Sequence, residues 1–127
     1  MSKQRIKLKV FQQLCQHDCD FMSCWVPLPT MVIASILKIS VYQCRKQMKR
    51  LVEDGLAERC SCILNSEESL LPYNGFMITA KGRKTDIYRY CALKSARICA
   101  ECFDAKIESF LPEGFDMRWL GERREGE

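Results

Sequence analysis

Acidic residues are missing from one stretch of this chain: between Lys38 and Arg50 there are five basic residues and no Asp or Glu. A merely solvated helix face usually interleaves both signs, so the gap points to a surface built for an anion. Other absences narrow the function. There is one histidine, His17, with no nucleophile arranged around it, and no phosphate-cradling glycine loop. Enzymes are therefore the least supported class, no cofactor is expected, and the lone histidine beside a helix end reads as a surface residue. No apolar run approaches the ~20 residues that a bilayer-crossing helix needs. The polar, basic N-terminus carries no signal-peptide apolar segment, so a cytoplasmic protein is expected.

At 127 residues the chain suits one domain, with room for a real core but not for two. Its net charge of +4 is unevenly spread. Residues 1–50 hold nine Lys/Arg against two Asp/Glu, whereas residues 51–127 hold eleven against fourteen. A phosphate backbone would feel the concentrated N-terminal patch rather than the average.

Within Thr30–Leu56 the apolar positions predict two short helices joined by a tight turn. Val32, Ile33, Ile36 and Leu37 recur at the steps of one helical face. Ser40 is placed to cap a second helix, whose apolar stripe is Val41, Cys44, Met48, Leu51 and Val52. Gly55 sits where a helix end wants a left-handed residue. Tyr42, Gln43, Arg45, Lys46, Lys49 and Arg50 are left facing outward. This is the layout of a helix-turn-helix whose second helix enters a DNA groove.

Around that motif the sequence predicts a first helix over residues 4–16, with Ile6, Val10, Phe11 and Leu14 inward. An irregular stretch over 17–29 follows, with Phe21, Met22 and Trp25 tucked into the core. Leu56–Leu64 alternates as a strand, Asn65–Asn74 reads as a loop, and Gly75–Thr79 returns as a second strand. Thr79 is expected to cap a helix from Ala80 to about Ser109, with a seam of Ile87, Cys91, Ile98, Cys102 and Ile107. Almost thirty residues is long for a compact domain, so a kink or a partner is expected along it. The fold class is thus mostly α with a small antiparallel β-hairpin, a winged helix-turn-helix with a long C-terminal helix. The domain is residues 1–110, and residues 111–127 form a tail containing Phe115, Trp119 and Leu120.

Two passages resemble the bacterial winged-helix transcription regulators of the MarR and PadR type. The pattern Ile39-Ser40-x-x-x-Cys44-x-x-x-Met48-x-x-Leu51-x-x-x-Gly55-Leu56 resembles that family's turn and recognition helix. Ile78-Thr79-Ala80-Lys81-Gly82-Arg83 resembles the passage that ends the wing and starts the next helix. The resemblance implies a homodimer that binds a pseudo-palindromic operator in double-stranded DNA, usually as a repressor. It also implies that Ser40, Tyr42, Gln43, Arg45, Lys46 and Lys49 face the major groove or its flanking phosphates. The chemistry of the residues agrees: Arg45 and Lys46 can pair with guanine edges or phosphates, and Gln43 can read adenine. Arg50, late in the helix, suits a backbone clamp or an ion pair.

The wing tip departs from the family's pattern, in which an arginine or lysine reaches the minor groove. Here the tip holds Glu67 and Glu68, which phosphate repels, followed by Leu70, Leu71, Pro72 and Tyr73. An apolar tip suits protein contact. The competing function is accordingly an interaction module, an accessory or mobile-element factor holding a partner through Leu70, Leu71 and Tyr73 with the Trp119 tail.

Nine cysteines are many for a chain of this length. With nothing suggesting export, reduced thiols serving as small core residues account for most of them. Zinc needs four converging thiolate or imidazole ligands. The group Cys15, His17, Cys19 and Cys24 lacks a second clean pair, Cys99-x-x-Cys102 falls in expected helix, and Cys60 and Cys62 share one strand face. For redox sensing, which needs an accessible thiol of lowered pKa, Cys15, Cys19 and Cys24 are the best placed.

Overall fold

A computed structural model describes residues 2–20, 26–65, 70–112 and 114–115. Among them the chain forms four helices and one two-stranded antiparallel sheet. The first helix, α1 (Lys3–Cys19), starts where the Ser2 hydroxyl accepts the Arg5 amide at 3.2 Å. It runs a turn beyond the expected end and buries Ile6, Val10, Phe11, Leu14 and Cys15. Those five residues face α3 and α4, and α1 forms the spine of the core. The expected core residues Phe21, Met22 and Trp25 lie outside the described residues.

After α1 the chain returns at Leu28, which makes a single bridge to Phe76 with both amide–carbonyl hydrogen bonds at 2.9 Å. Helix α2 (Thr30–Leu37) follows and ends at Lys38, whose φ of 58° is left-handed. The expected inner face of α2 is corrected. Ile33 and Ala34 are buried, whereas Ile36 is 53% and Val32 40% exposed. A helix of eight residues packed on one side covers little more than one turn's worth of side chains, and Ala34 takes the place the periodicity assigned to its larger neighbours.

Helix α3 (Val41–Glu53) buries Cys44, Gln47, Met48 and Leu51, each at most 2% exposed. Burial of Met48 and Leu51 is worth about 1.5–3 kcal/mol per side chain. Val52, expected in that stripe, is exposed, and the buried polar Gln47 stands in the line instead. The helix ends in a pair of reversed hydrogen bonds, Leu56 N–H to Leu51 O and Gly55 N–H to Val52 O. Gly55 has φ 77°, the conformation that this closure requires and that a side chain would strain.

Strands β1 (Ala57–Asn65) and β2 (Leu70–Ile78) pair from Ala57↔Ile78 out to Asn65↔Leu70. The return strand therefore begins at Leu70 rather than Gly75, and most of the expected loop is strand. Pro72 lies within β2 and is tolerated there because, among the described residues, no third strand stands beside it at that position. Glu67 and Glu68, the expected wing tip, lie outside the described residues.

The helix expected over Ala80–Ser109 is also corrected. A short 3₁₀ turn occupies Gly82–Lys84, Thr85 is extended, and α4 (Asp86–Phe103) starts only there, with the Thr85 hydroxyl accepting the Tyr88 amide at 3.3 Å. Thr79 closes the 3₁₀ turn instead, its hydroxyl accepting the Gly82 amide at 3.1 Å. At the far end Asp104 is left-handed, so the helix stops at eighteen residues, and a second 3₁₀ turn covers Ile107–Phe110. The buried face of α4 is Tyr88, Cys91, Ala92, Leu93 and Ala96; Ile98 and Cys102 of the expected seam are exposed. No helix among the described residues is long and apolar enough to cross a membrane.

Candidate nucleic-acid interface

The basic face belongs to α3, and the sequence fixes that helix at both ends while leaving one side open. At its start Ser40 and Gln43 form a reciprocal cap: the Ser40 hydroxyl accepts the Gln43 amide at 3.1 Å, and Gln43 Oε1 accepts the Ser40 amide at 3.3 Å. Two orphan N–H groups are thereby satisfied. At its end three separate ties converge. Lys7 of α1 pairs with the Asp54 carboxylate, Lys81 Nζ donates to the Asp54 carbonyl at 2.8 Å, and the Thr79 hydroxyl donates to the Gly55 carbonyl. Both lysines bring positive charge to a helix C-terminus, where the backbone dipole favours it. The Lys7 hydrogen bond also holds the Asp54 carboxyl below its ordinary pKa.

Between these anchors the outward side chains are free for contact. Tyr42 is 74% exposed, and Gln43, Arg45, Lys46 and Lys49 are exposed with it. Among the described residues none of Arg45, Lys46 and Lys49 has a carboxylate partner. Each of the seven sequence-predicted site residues therefore has a definite place. Ser40 and Gln43 serve the cap, so a base-reading Gln43 has to release a long hydrogen bond first. Tyr42, Arg45, Lys46 and Lys49 share the open side. Arg50 is half-buried, and its Nη1 donates to Gln47 Oε1 at 3.5 Å, which turns it toward the helix's own flank.

The sequence reading missed a second wall. Arg59 of β1 lies exposed opposite Phe76 in the register, its guanidinium 5.8 Å from that ring's centroid. It lines a groove of about 590 Å³ together with Arg45, Lys49 and Val52 of α3 and Thr30 at the start of α2. The available signal was that Arg59 is the one basic residue between Ala57 and Ile78.

The competing surface comprises Leu70, Leu71, Tyr73 and the Trp119 tail. Tyr73 is half-buried and pairs with Cys62 across the hairpin; Leu70 and Leu71 open β2; Trp119 lies outside the described residues.

The cysteines divide by burial. Cys15, Cys44 and Cys91 are buried, Cys19, Cys60, Cys62 and Cys99 are half-buried, Cys102 is exposed, and all eight are free thiols. Cys24 lies outside the described residues. Cys15 fails as a redox sensor: it is fully buried, and its hydrogen bond with Cys91, then burial, push its thiol pKa upward. Burial pushes Cys19 up to about 12 and Cys44 up to about 11. Among the described residues no three His, Cys, Asp or Glu side chains gather as a metal site.

A second polar cluster braces the far side of the molecule. Arg83 grips Asp18 with two hydrogen bonds, 3.0 and 3.2 Å, and the Tyr88 hydroxyl donates to the same carboxylate at 2.8 Å. Burial, then this hydrogen bond, raise the pKa of Tyr88. Every member is committed to another, so the cluster reads as a brace between α1 and α4.

Comparison with protein-family models, with curated proteins and with solved structures finds no match to this chain.

Proposed function

We propose that this chain is a winged helix-turn-helix protein that binds double-stranded DNA as a transcriptional regulator, with α3 as its recognition helix. One observation carries the reading: the outward side of α3 offers Arg45, Lys46 and Lys49 without a carboxylate partner among the described residues, on a helix tied down at both ends. A helix held in this way keeps its cations in a fixed geometry, which suits insertion into a groove about as wide as the helix itself. The order of elements supports the same reading: a helix, a single-residue bridge at Leu28, two helices joined by a tight turn, then a hairpin. In this proposal Arg45, Lys46 and Lys49 supply affinity, Tyr42 and Gln43 help read or position bases, and Arg50 acts from the flank. A homodimer acting as a repressor in the cytoplasm completes the proposal by resemblance.

The test is fluorescence anisotropy of a mixed-sequence duplex titrated with reduced protein at two salt concentrations. Binding that weakens steeply with salt is expected, because each neutralised phosphate releases a counterion. Lys46→Ala should weaken binding and reduce the dependence on log salt by roughly 0.9. No binding at low salt overturns the proposal.

A second reading, the protein-interaction module, draws on the exposed apolar side of α2: Met31 is 69% exposed beside Val32 and Ile36. Such a patch is costly to leave in water and suits a partner surface. Retained DNA binding in Ile36→Asp, with no change in assembly state, argues against it.

A further inference from the structure

We infer that the groove between α3 and the base of the hairpin is a second DNA contact, a seat for a phosphodiester strand clamped between Arg59 on one wall and Arg45 and Lys49 on the other. The inference rests on the DNA-binding reading of α3 and adds a site that α3 alone does not supply. Its occupant is set by charge. Three cations line about 590 Å³, and among the described residues no carboxylate does. Glu58 precedes Arg59 and therefore points to the opposite face of β1, since alternate strand residues face opposite ways.

The α3 side of the groove follows from helical spacing. Arg45, Lys49 and Val52 stand at i, i+4 and i+7, a stripe that turns toward the sheet, while Tyr42 and Lys46 stand at i and i+4 on the neighbouring stripe. The two stripes divide the positive face of α3: one toward the groove of the duplex, the other toward the strand that borders it. On the sheet side the Phe76 ring lies under the Arg59 guanidinium and restrains it without neutralising it. Among the described residues Arg59 makes no ion pair. Thr30 opens α2 at the groove's edge and no side chain caps that helix start; the Val32 and Ile33 amides donate to the Pro29 carbonyl, which leaves, among the described residues, those of Thr30 and Met31 for an acceptor there. A planar guanidinium over a ring presents its N–H edges outward, the geometry that grips phosphate oxygens in pairs.

The wing therefore contributes its positive charge from its base, at Arg59, and not from its tip, where Glu67 and Glu68 stand in the sequence. The sugar–phosphate backbone is the chemistry recognised: three of the lining residues offer cations to an anion, and Asn74 is the one described lining residue whose side-chain amide presents an edge to a base.

The experiment is the salt dependence of duplex binding by Arg59→Gln, Arg59→Lys and Glu58→Gln, beside the unmodified protein and Lys46→Ala, each as the 127-residue chain. Arg59 is exposed, so the fold tolerates its replacement; circular dichroism of each variant checks this. Arg59→Gln should lower the slope by roughly 0.9 and weaken binding about eightfold at 0.1 M salt, the loss of one phosphate contact. Arg59→Lys should retain most of the slope, and Glu58→Gln should not weaken binding. Unchanged slope and affinity in Arg59→Gln, while Lys46→Ala weakens binding, overturns the second seat and leaves α3 as the sole contact. Absence of duplex binding by the unmodified protein overturns both readings together.

Discussion

Lys38 stands in a backbone conformation that costs free energy, and its replacement separates the cost of the turn from the value of the charge. Its φ of 58° and ψ of 44° are left-handed, at the end of α2, with its amide on the Ser35 carbonyl at 3.4 Å and the next amide on the Ala34 carbonyl at 3.1 Å. An L side chain in that well costs roughly 1–2 kcal/mol through the clash of Cβ with the following carbonyl. Glycine escapes the clash but adds freedom to the unfolded chain, which returns about 0.4–1 kcal/mol. Lys38→Gly should therefore stabilise the fold by about 0.5–1 kcal/mol, a rise in Tm of roughly 2–4 °C for a domain of this size. Lys38→Ala keeps Cβ and removes the charge, so its stability should stay within about 0.5 kcal/mol of the unmodified protein. Both variants lose the positive charge at the turn beside α3, so duplex affinity should fall in both while stability rises in only one. Thermal unfolding followed by circular dichroism, paired with anisotropy on the same samples, reads both quantities. A Tm for Lys38→Gly at or below that of the parent refutes the strain argument. Equal Tm values for the glycine and alanine variants assign any change to the lost lysine instead.

Gly82→Ala should destabilise, because an added Cβ would stand 2.5 Å from Ile78 Cγ1 and 2.6 Å from the Leu56 carbonyl oxygen. The second contact is backbone and cannot swing aside, so a loss of about 1–3 kcal/mol in urea denaturation is expected, and a neutral result would contradict the packing described. The thiols should label in order of burial: with iodoacetamide on native protein, Cys102 modifies first, and Cys15 and Cys44 only after unfolding. Rapid labelling of Cys44 in the folded state would show that α3 is not held as described. The same thiols set an alkaline limb. Cys44 and Cys19 have folded pKa values raised to about 11 and about 12, so their contribution is present below their ordinary value near 9. It is lost as pH rises, because the unfolded thiols ionise first and draw the equilibrium toward the unfolded chain. Tm should fall between pH 9 and 11; a flat profile there contradicts the burial of these groups.

The parts of the fold legible in the sequence were those fixed by local chemistry. Ser40 begins α3 and Gly55 ends it because a hydroxyl acceptor and a left-handed residue are demanded at those positions whatever packs alongside. The illegible parts depended on distant partners. Whether Ile36 or Ala34 turns inward on α2 is decided by which side the core approaches from, and eight residues offer too little periodicity to tell. The helix expected from Ala80 broke at Thr85 because its hydroxyl caps α4 and also donates to the Gly82 carbonyl at 2.7 Å, a competition that helix propensity does not register. In the candidate interface Arg45, Lys46 and Lys49 were readable from spacing on a single helix. Arg59 was not, because only the pairing of β1 with β2 and the packing of the sheet beside α3 bring it to the same groove.

The passage Ile78–Arg83, half of the resemblance to winged-helix regulators, is occupied with scaffolding. Ile78 is 2% exposed in the core. The Thr79 hydroxyl joins the Gly55 carbonyl to the Gly82 amide, Lys81 holds the carbonyl of Asp54 at the C-cap of α3, Gly82 admits the close approach of Leu56, and Arg83 grips Asp18 on α1. Each role requires its own residue type, which is why the short string is recognisable, and none of them faces the open side of α3. The passage carries information about how α3 is braced and none about what that helix touches. The basic face itself has the opposite character: any arrangement of Arg and Lys that keeps the charge would serve phosphate, so it leaves no fixed string to recognise. The proposed reading therefore rests not on the resemblance but on the cations of α3, which have no carboxylate partner among the described residues, and on Arg59 across the groove.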